Sequence, residues 1–344
     1  MWRPPPALRP GDTVAAVSLS SGLAAALPAR YAQGKRQFEA AFGVRVVEAP
    51  HALADDAFLR AHPEARAADL HWALEHPDVR GLVSTIGGDD AVRLLPHLDL
   101  DRIRAHPKPF LGFSDSTVLL LAFLKAGVLS FHGPSLMTDL AETGGIRPEV
   151  RRAVHQALFR AAPYALEAAP AWTEEFADWG DPVASRRARA FVPNAGWAWL
   201  QGDERAEGHL VGGCAEVLEM CKGTPVWPGP EDWDGAVLLL ETSEVVPTPL
   251  WVGYWLRNYG AQGILGRLAA LVLGRPYGYT PAMTEELHAT VRAVLAEFGR
   301  ADLPVVANLD VGHTSPQLVL PVGGRVAVDA AAGRVEVLDA HGVR

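Results

Sequence analysis

Short apolar runs bounded by glycine or serine alternate with helical patterns over roughly the first 135 residues, and this alternation constrains the fold more than any other feature. Thr-Val-Ala-Ala-Val-Ser follows Asp12, between Gly11 and the serine-rich loop Ser18 to Gly22, and predicts a buried first strand. Helical patterns come next, over Ala29 to Ala41 and Pro63 to Glu75. The run from Arg80 to Ile86 predicts a second buried strand, ending at Gly87-Gly88, with helical character from Asp90 to Leu95. Lys108 to Phe113 leads into Ser114, and Val118 to Ala126 predicts a buried helix. Strands without polar alternation, separated by helices, imply a parallel sheet covered on both faces, hence an α/β fold.

The pattern changes past Thr138. An Ala/Arg-rich helix runs to about Arg160, and the stretch from Ala171 to Arg189 is rich in tryptophan and mixed charge with no clear period. Strand-like segments follow at Glu207 to Val211, Ala236 to Leu240, Ala269 to Leu273, Val305 to Asn308 and Gln317 to Pro321, with helices near Leu250 to Tyr259 and Pro281 to Glu297. The last strands, around a Gly/Ala turn, read as a terminal hairpin. The expected division is an N-terminal domain over 1–160, a linker or lid over 161–200 and a β-rich C-terminal domain over 201–344.

Composition excludes several classes. The 344 residues are 49% hydrophobic, enough for a large core, so disorder is not expected. With 31 basic and 40 acidic residues and no basic block, a nucleic-acid polymer is not an expected partner. Cys214 and Cys221 are too few for a disulfide framework or a zinc set, and no metal or cofactor is expected. The start, with three consecutive prolines and no apolar core region, does not resemble a secretion signal. The longest apolar run, Val118 to Leu124, is far below the roughly 18 residues of a membrane span. A cytoplasmic protein without membrane association is expected.

Three features point to nucleophilic chemistry. Gly112-Phe113-Ser114-Asp115-Ser116 sits between a predicted strand and a predicted helix. A sharp turn there lifts a serine hydroxyl above the sheet and aims the following amide, that of Asp115, at an oxyanion. Ser116 stands where the hydrolase elbow has glycine, and Ser114-Asp115 taken by itself is more often a helix N-cap. Gly312-His313-Thr314 places a histidine in a glycine-flanked loop between strands, as a proton carrier requires. Glu241 ends an apolar strand with a carboxylate able to orient an imidazole, although a solvated strand end reads the same way and Glu244 competes for the role. Ser84-Thr-Ile-Gly87-Gly88 could expose amides to an oxyanion, the candidate donors being Gly88 and Asp115, or could be a simple tight turn. Its spacing fits no nucleotide-phosphate loop.

Taken in order, Gly112-Phe-Ser-Asp, Gly208-His-Leu-Val-Gly-Gly-Cys, Leu238-Leu-Leu-Glu, Gly263-Ile-Leu-Gly and Gly312-His-Thr-Ser-Pro resemble the LD-carboxypeptidase family from about Gly11 to the C-terminus. The resemblance implies a Rossmann-like N-terminal domain supplying Ser114 as nucleophile, and a β-rich C-terminal domain supplying Glu241 as acid and His313 as base. It also implies a homodimer. Ser84-Thr-Ile-Gly-Gly and Pro193-Asn-Ala-Gly-Trp197-Ala-Trp199 look closer to the microcin C self-immunity branch than to murein-recycling members, which typically have arginine where this chain has Ile86. That branch cleaves an amide joining an aminoacyl group to a nucleotide analogue and stacks aromatic side chains on the base. Trp172, Trp179, Trp197 and Trp199 lie in the matching region, with Trp179 and Trp197 the candidate substrate contacts, although tryptophans also simply pack. The implied partner is therefore a small-molecule peptide or aminoacyl nucleotide. The alternative is a ligand-binding relative of the same fold without turnover.

Overall fold

A computed structural model describes residues 2–160, 163–181, 183–339 and 341. Residues 161, 162 and 182 of the expected linker, and 340 and 342–344 of the expected C-terminal domain, lie outside the described residues.

The alternation of the first half becomes five parallel strands, in the spatial order Arg45–Glu48, Thr13–Val17, Val79–Ser84, Phe110–Gly112, Ser130–His132. A second parallel set comprises Arg205–Cys214, Val237–Glu241, Ala270–Gly274 and Val305–Leu309. Leu320–Val322 joins the two: it runs antiparallel to Ser130–His132, with Leu320 opposite His132, while Val322 bridges to Leu210. Ala198–Gln201 adds an antiparallel edge beside Val305–Leu309. The result is one continuous, mostly parallel sheet in a mixed α/β protein. Thr13–Val17, Val237–Glu241 and Ala270–Gly274 are buried at every residue, as strands covered on both faces must be.

The helix Thr117–Lys125 begins directly after the Ser114 turn, and every residue from Thr117 to Leu124 is buried. Its apolar surface is continuous around the axis because it packs on Ser130–His132 on one side and on Arg205–Cys214 and the helix Ala215–Cys221 on the other. The Ser114 turn is thereby wedged between strands of both halves.

The helices Pro28–Phe42, Pro63–Glu75, Pro148–Phe159, Pro249–Ala261 and Pro281–Glu297 each carry proline in the first turn, where its missing amide is not needed. The segment expected to be helical from Asp90 is a 3-10 helix, Ala91–His97, with Pro96 inside it. Three short helices, Asp56–Ala61, Leu100–Ala105 and Ala215–Cys221, were below the length at which a helical period can be read. Strands and helices also alternate in the C-terminal half, and its last strands form the expected hairpin, Arg325–Asp329 with Arg334–Val337, Val326 facing Val337. Among the described residues no helix is long and apolar enough to cross a membrane.

Candidate active site

Phe110–Gly112 ends in an extended Phe113, after which Ser114 takes φ 59°, a left-handed backbone that a non-glycine residue adopts at a cost of order 1–3 kcal/mol. Close packing holds it there. A Cβ on Gly112 would lie 2.8 Å from Ser116 Oγ, and one on Gly87 would lie 2.9 Å from Ser114 Cβ and 3.0 Å from its Oγ. The Asp115 carboxylate accepts the Ser20 hydroxyl and the backbone amides of Asp90 (2.8 Å) and Ala91 (2.7 Å), so it ties the Ser114 turn to the loop carrying Gly87-Gly88. Burial pushes the Asp115 carboxyl up in pKa despite these bonds. The two glycine-bearing turns therefore lie together at the C-terminal end of adjacent strands.

The second half brings the other groups to the same place. Glu241 is the last residue of its strand and is 1% exposed. It fits only because its neighbours lack side chains: a Cβ on Gly274 would lie 2.7 Å from Glu241 Cβ, and one on Gly312, at φ 94°, would lie 2.3 Å from Glu241 Oε2. His313 donates through Nδ1 to Glu241 Oε2 at 2.7 Å, and its Nε2 lies 3.1 Å from Ser114 Oγ. Phe113 packs against the imidazole with ring centroids 5.1 Å apart. The loop after His313 is anchored by Asp139, which accepts the Ser315 hydroxyl and the Gln317 amide.

Burial pushes the Glu241 carboxyl up, but the charge and hydrogen bond of His313, with the nearby His132 ring, outweigh it and hold the carboxyl well below the usual carboxylate range. For His313, burial favours the neutral ring, yet the charge and hydrogen bond of Glu241, with Glu244 and Glu216 adding to them, raise its pKa above the ordinary value. Glu241 and Glu244 both reach the imidazole, on opposite nitrogens. Glu244 Oε2 lies 3.3 Å from Nε2 on a side chain 68% exposed, so the orienting position at Nδ1 belongs to Glu241.

One residue near this chain was not anticipated. His132 is fully buried, has no hydrogen-bond partner on either ring nitrogen, and holds Nε2 3.5 Å from Glu241 Oε1. Glu241 thus sits between two imidazoles. Nothing in Ser130-Phe-His-Gly, the end of an apolar strand, separates this histidine from any other buried one.

A cavity of about 490 Å³ opens over Ser114 and His313, walled by Ile86, Gly87, Phe176, Trp179 and Tyr277 among others. Trp179 lines it, with the Arg30 guanidinium 4.6 Å from its ring centre. Trp197 does not line it. Its indole N–H donates to Asp310 Oδ2 at 3.1 Å, in a buried network in which Arg275 (2.7 Å) and Asn194 (3.1 Å) hold Asp310 Oδ1. Trp172 lies under Arg275, 4.7 Å from the guanidinium carbon to the ring centre. Trp197, expected as a substrate contact, thus lies off the cavity wall, where the Pro193-to-Trp199 segment is tied to the strand end that leads into His313.

The LD-carboxypeptidase N-terminal domain matches residues 14–133 and the LD-carboxypeptidase C-terminal domain residues 207–328. An MccF-like protein from Streptococcus pneumoniae, solved in complex with AMP, is 30% identical with a TM-score of 0.84 over 96% of this chain and 100% of its own. The microcin C7 self-immunity protein MccF of Escherichia coli is 26% identical over 93% of this chain and 91% of its own. Its structure with aspartyl sulfamoyl adenosine gives a TM-score of 0.83 at 25% identity, over 98% of both chains. The murein tetrapeptide carboxypeptidase of Pseudomonas aeruginosa is 28% identical over 79% of this chain and 80% of its own. The chain belongs to the LD-carboxypeptidase family of peptidases, with its structural neighbours in the MccF branch.

Proposed function

We propose that the chain is a serine-type carboxypeptidase or amidase that cleaves an amide near the end of a small substrate through Ser114, His313 and Glu241. The observation that carries this reading is the continuous hydrogen-bonded line from Ser114 Oγ through the His313 ring to buried Glu241, at a left-handed turn beneath a cavity. Ser114 Oγ attacks the carbonyl carbon as its proton passes to His313 Nε2. The C–N bond then breaks as Nε2 returns that proton to the leaving amine, giving an acyl-enzyme. Water, deprotonated by His313, adds to the acyl carbon and releases the acid, and the serine regains its proton. Glu241 fixes the tautomer and stabilises the imidazolium without itself taking the proton. The backbone amides of Gly88 and Asp115 are the proposed oxyanion donors, because their turns are bound together at Ser114.

The substrate class we favour is an aminoacyl group on a nucleotide-like amine. Relatives that bind AMP and aspartyl sulfamoyl adenosine support it, as does Trp179 in the cavity wall of this chain. Two buried, unpaired cysteines suit the cytoplasmic setting of this reading, and the homodimer that the family resemblance implies is tested by sedimentation. A fluorophosphonate should label the wild-type protein and not the Ser114→Ala variant. Single-turnover reactions with an L,D-tetrapeptide and an aminoacyl sulfamoyl-adenosine would separate the substrates. Failure of the wild type to label or to turn over either compound would favour a ligand-binding relative without turnover.

A further inference from the structure

The charge lining the cavity is uneven. Five carboxylates, those of Asp139, Glu142, Glu174, Glu175 and Glu244, face two guanidiniums, Arg30 and Arg189. Most are mutually paired: Arg189 binds Asp139 and Glu142, and Glu175 binds Arg187. Glu174 and Glu244 form no ion pair with a lysine or arginine among the described residues; Glu174 accepts only the Gly278 amide (2.9 Å), and Glu244 faces His313 Nε2. Gly278, whose amide Glu174 holds, follows Tyr277 in the chain and packs against Val246, two residues from Glu244, where an added Cβ would lie 2.8 Å from Val246 Cγ2; Glu174, Glu244 and Tyr277 all line the cavity and share one corner of it. A second observation concerns Gln317, which also lines the cavity. It is 2% exposed, and its Oε1 has no hydrogen-bond partner. The cavity thus offers a donor-rich cation two unneutralised carboxylates and a buried acceptor.

We propose that the corner formed by Glu174, Glu244 and Tyr277 receives a primary ammonium group on the acyl side of the scissile amide. This rests on the hydrolase reading above and adds the charge of its substrate. The acyl side follows from the surroundings: a leaving amine that carries a carboxylate or phosphate-like group would be repelled at Glu244. Arg30, hydrogen-bonded to the Met137 and Thr138 carbonyls beside Trp179, offers that anion a cation. An ammonium that pairs with Glu244 also draws its carboxylate off Nε2, leaving that nitrogen free for the Ser114 proton. A primary ammonium can be the α-amine of an aminoacyl group or a side-chain amine of the lysine kind, and the experiment distinguishes them.

The test uses the intact protein with lysyl-, norleucyl-, glutamyl- and Nα-acetyl-lysyl-sulfamoyl adenosine, read as single-turnover kcat/KM. Calorimetric titration of the Ser114→Ala variant reads binding apart from chemistry. Loss of the recognised ammonium should cost about tenfold, the scale of a charge-assisted hydrogen bond in a partly exposed site, and the glutamyl compound should be slowest. A gap between lysyl and norleucyl assigns the side-chain amine, and a gap on acetylation assigns the α-amine. Glu244→Gln or Glu174→Gln should shrink whichever gap appears to about threefold or less and speed the glutamyl compound. Absence of both gaps, or preference for the glutamyl compound, overturns the proposal. If no compound is hydrolysed while the Ser114→Ala variant still binds the ammonium compounds more tightly, the hydrolase reading fails and the cation corner stands.

Discussion

Gly87→Ala is the substitution on which the site geometry bears most directly. The added methyl would sit 2.9 Å from Ser114 Cβ and 3.0 Å from Ser114 Oγ, whereas carbon atoms rest about 3.5–4.0 Å apart, so one partner must move by roughly 0.5–1 Å. The backbone itself does not object, since Gly87 is not among the positive-φ residues. The loop resists displacement because Asp90 and Ala91 are bonded to Asp115, and the Ser84 and Thr85 carbonyls accept the amides of Leu136 and Met137. Movement therefore falls on the serine. A 1 Å misplacement of a reacting group costs about 10²-fold, or about 2.7 kcal/mol of barrier, while overpacking costs about 1–3 kcal/mol of stability. The expected outcome is a folded protein with a modestly lower Tm, whose hydrolysis rate and fluorophosphonate labelling rate both fall about 100-fold. Gly88→Ala is the contrasting variant: at φ 150° its Cβ would lie 2.4 Å from Ser20 Oγ, on the hydroxyl that binds Asp115, so stability should fall as well as activity. Wild-type labelling by a Gly87→Ala variant of unchanged Tm would refute the argument that this loop is held against the nucleophile.

Ser114→Ala should lower hydrolysis by at least about 10⁴-fold with the Tm retained; substantial residual turnover would redirect attention to Ser116, whose hydroxyl reaches Ser84 at 3.3 Å. Because His313 must be neutral to act as base and its pKa is raised, kcat/KM should climb with pH through a midpoint above about 6.5. Glu244→Gln, which removes one of the charges raising it, should move that midpoint down, and an upward shift would contradict the assignment. Trp179→Ala should raise KM for an adenosine-bearing substrate by about 1–3 kcal/mol of lost stacking, with little effect on a small peptide. Trp197→Ala should instead lower Tm and weaken both substrates alike, since it strips a hydrogen bond worth about 1–3 kcal/mol from buried Asp310; selective loss on the nucleotide would place Trp197 at the substrate after all.

The sequence alone was sufficient wherever the cause is local. An unbroken apolar run from Val118 to Leu124 has no face to show water, and the helix is buried along that whole run. A strand ending at Gly112 and a helix starting at Thr117 leave room only for a sharp turn, which is where Ser114 takes its left-handed backbone. The terminal hairpin followed from alternation around a Gly/Ala turn. What periodicity does not carry is distance through space. Ser114 and His313 are separated by 199 residues, and their meeting depends on how two sets of parallel strands close around one helix. The choice between Glu241 and Glu244 was open in the sequence because the two differ by three positions. In the structure Gly274 and Gly312, whose missing side chains make room, let Glu241 reach Nδ1 while Glu244 comes to Nε2 from the solvent side. The tryptophans make the same point: composition marked four of them without distinction, and only the Asp310 network separates Trp197, held at a structural junction, from Trp179, left facing the cavity. A side chain's chemistry is written at its own position, but its partner is chosen by the packing of residues distant in sequence, and that is decided only when the chain has folded.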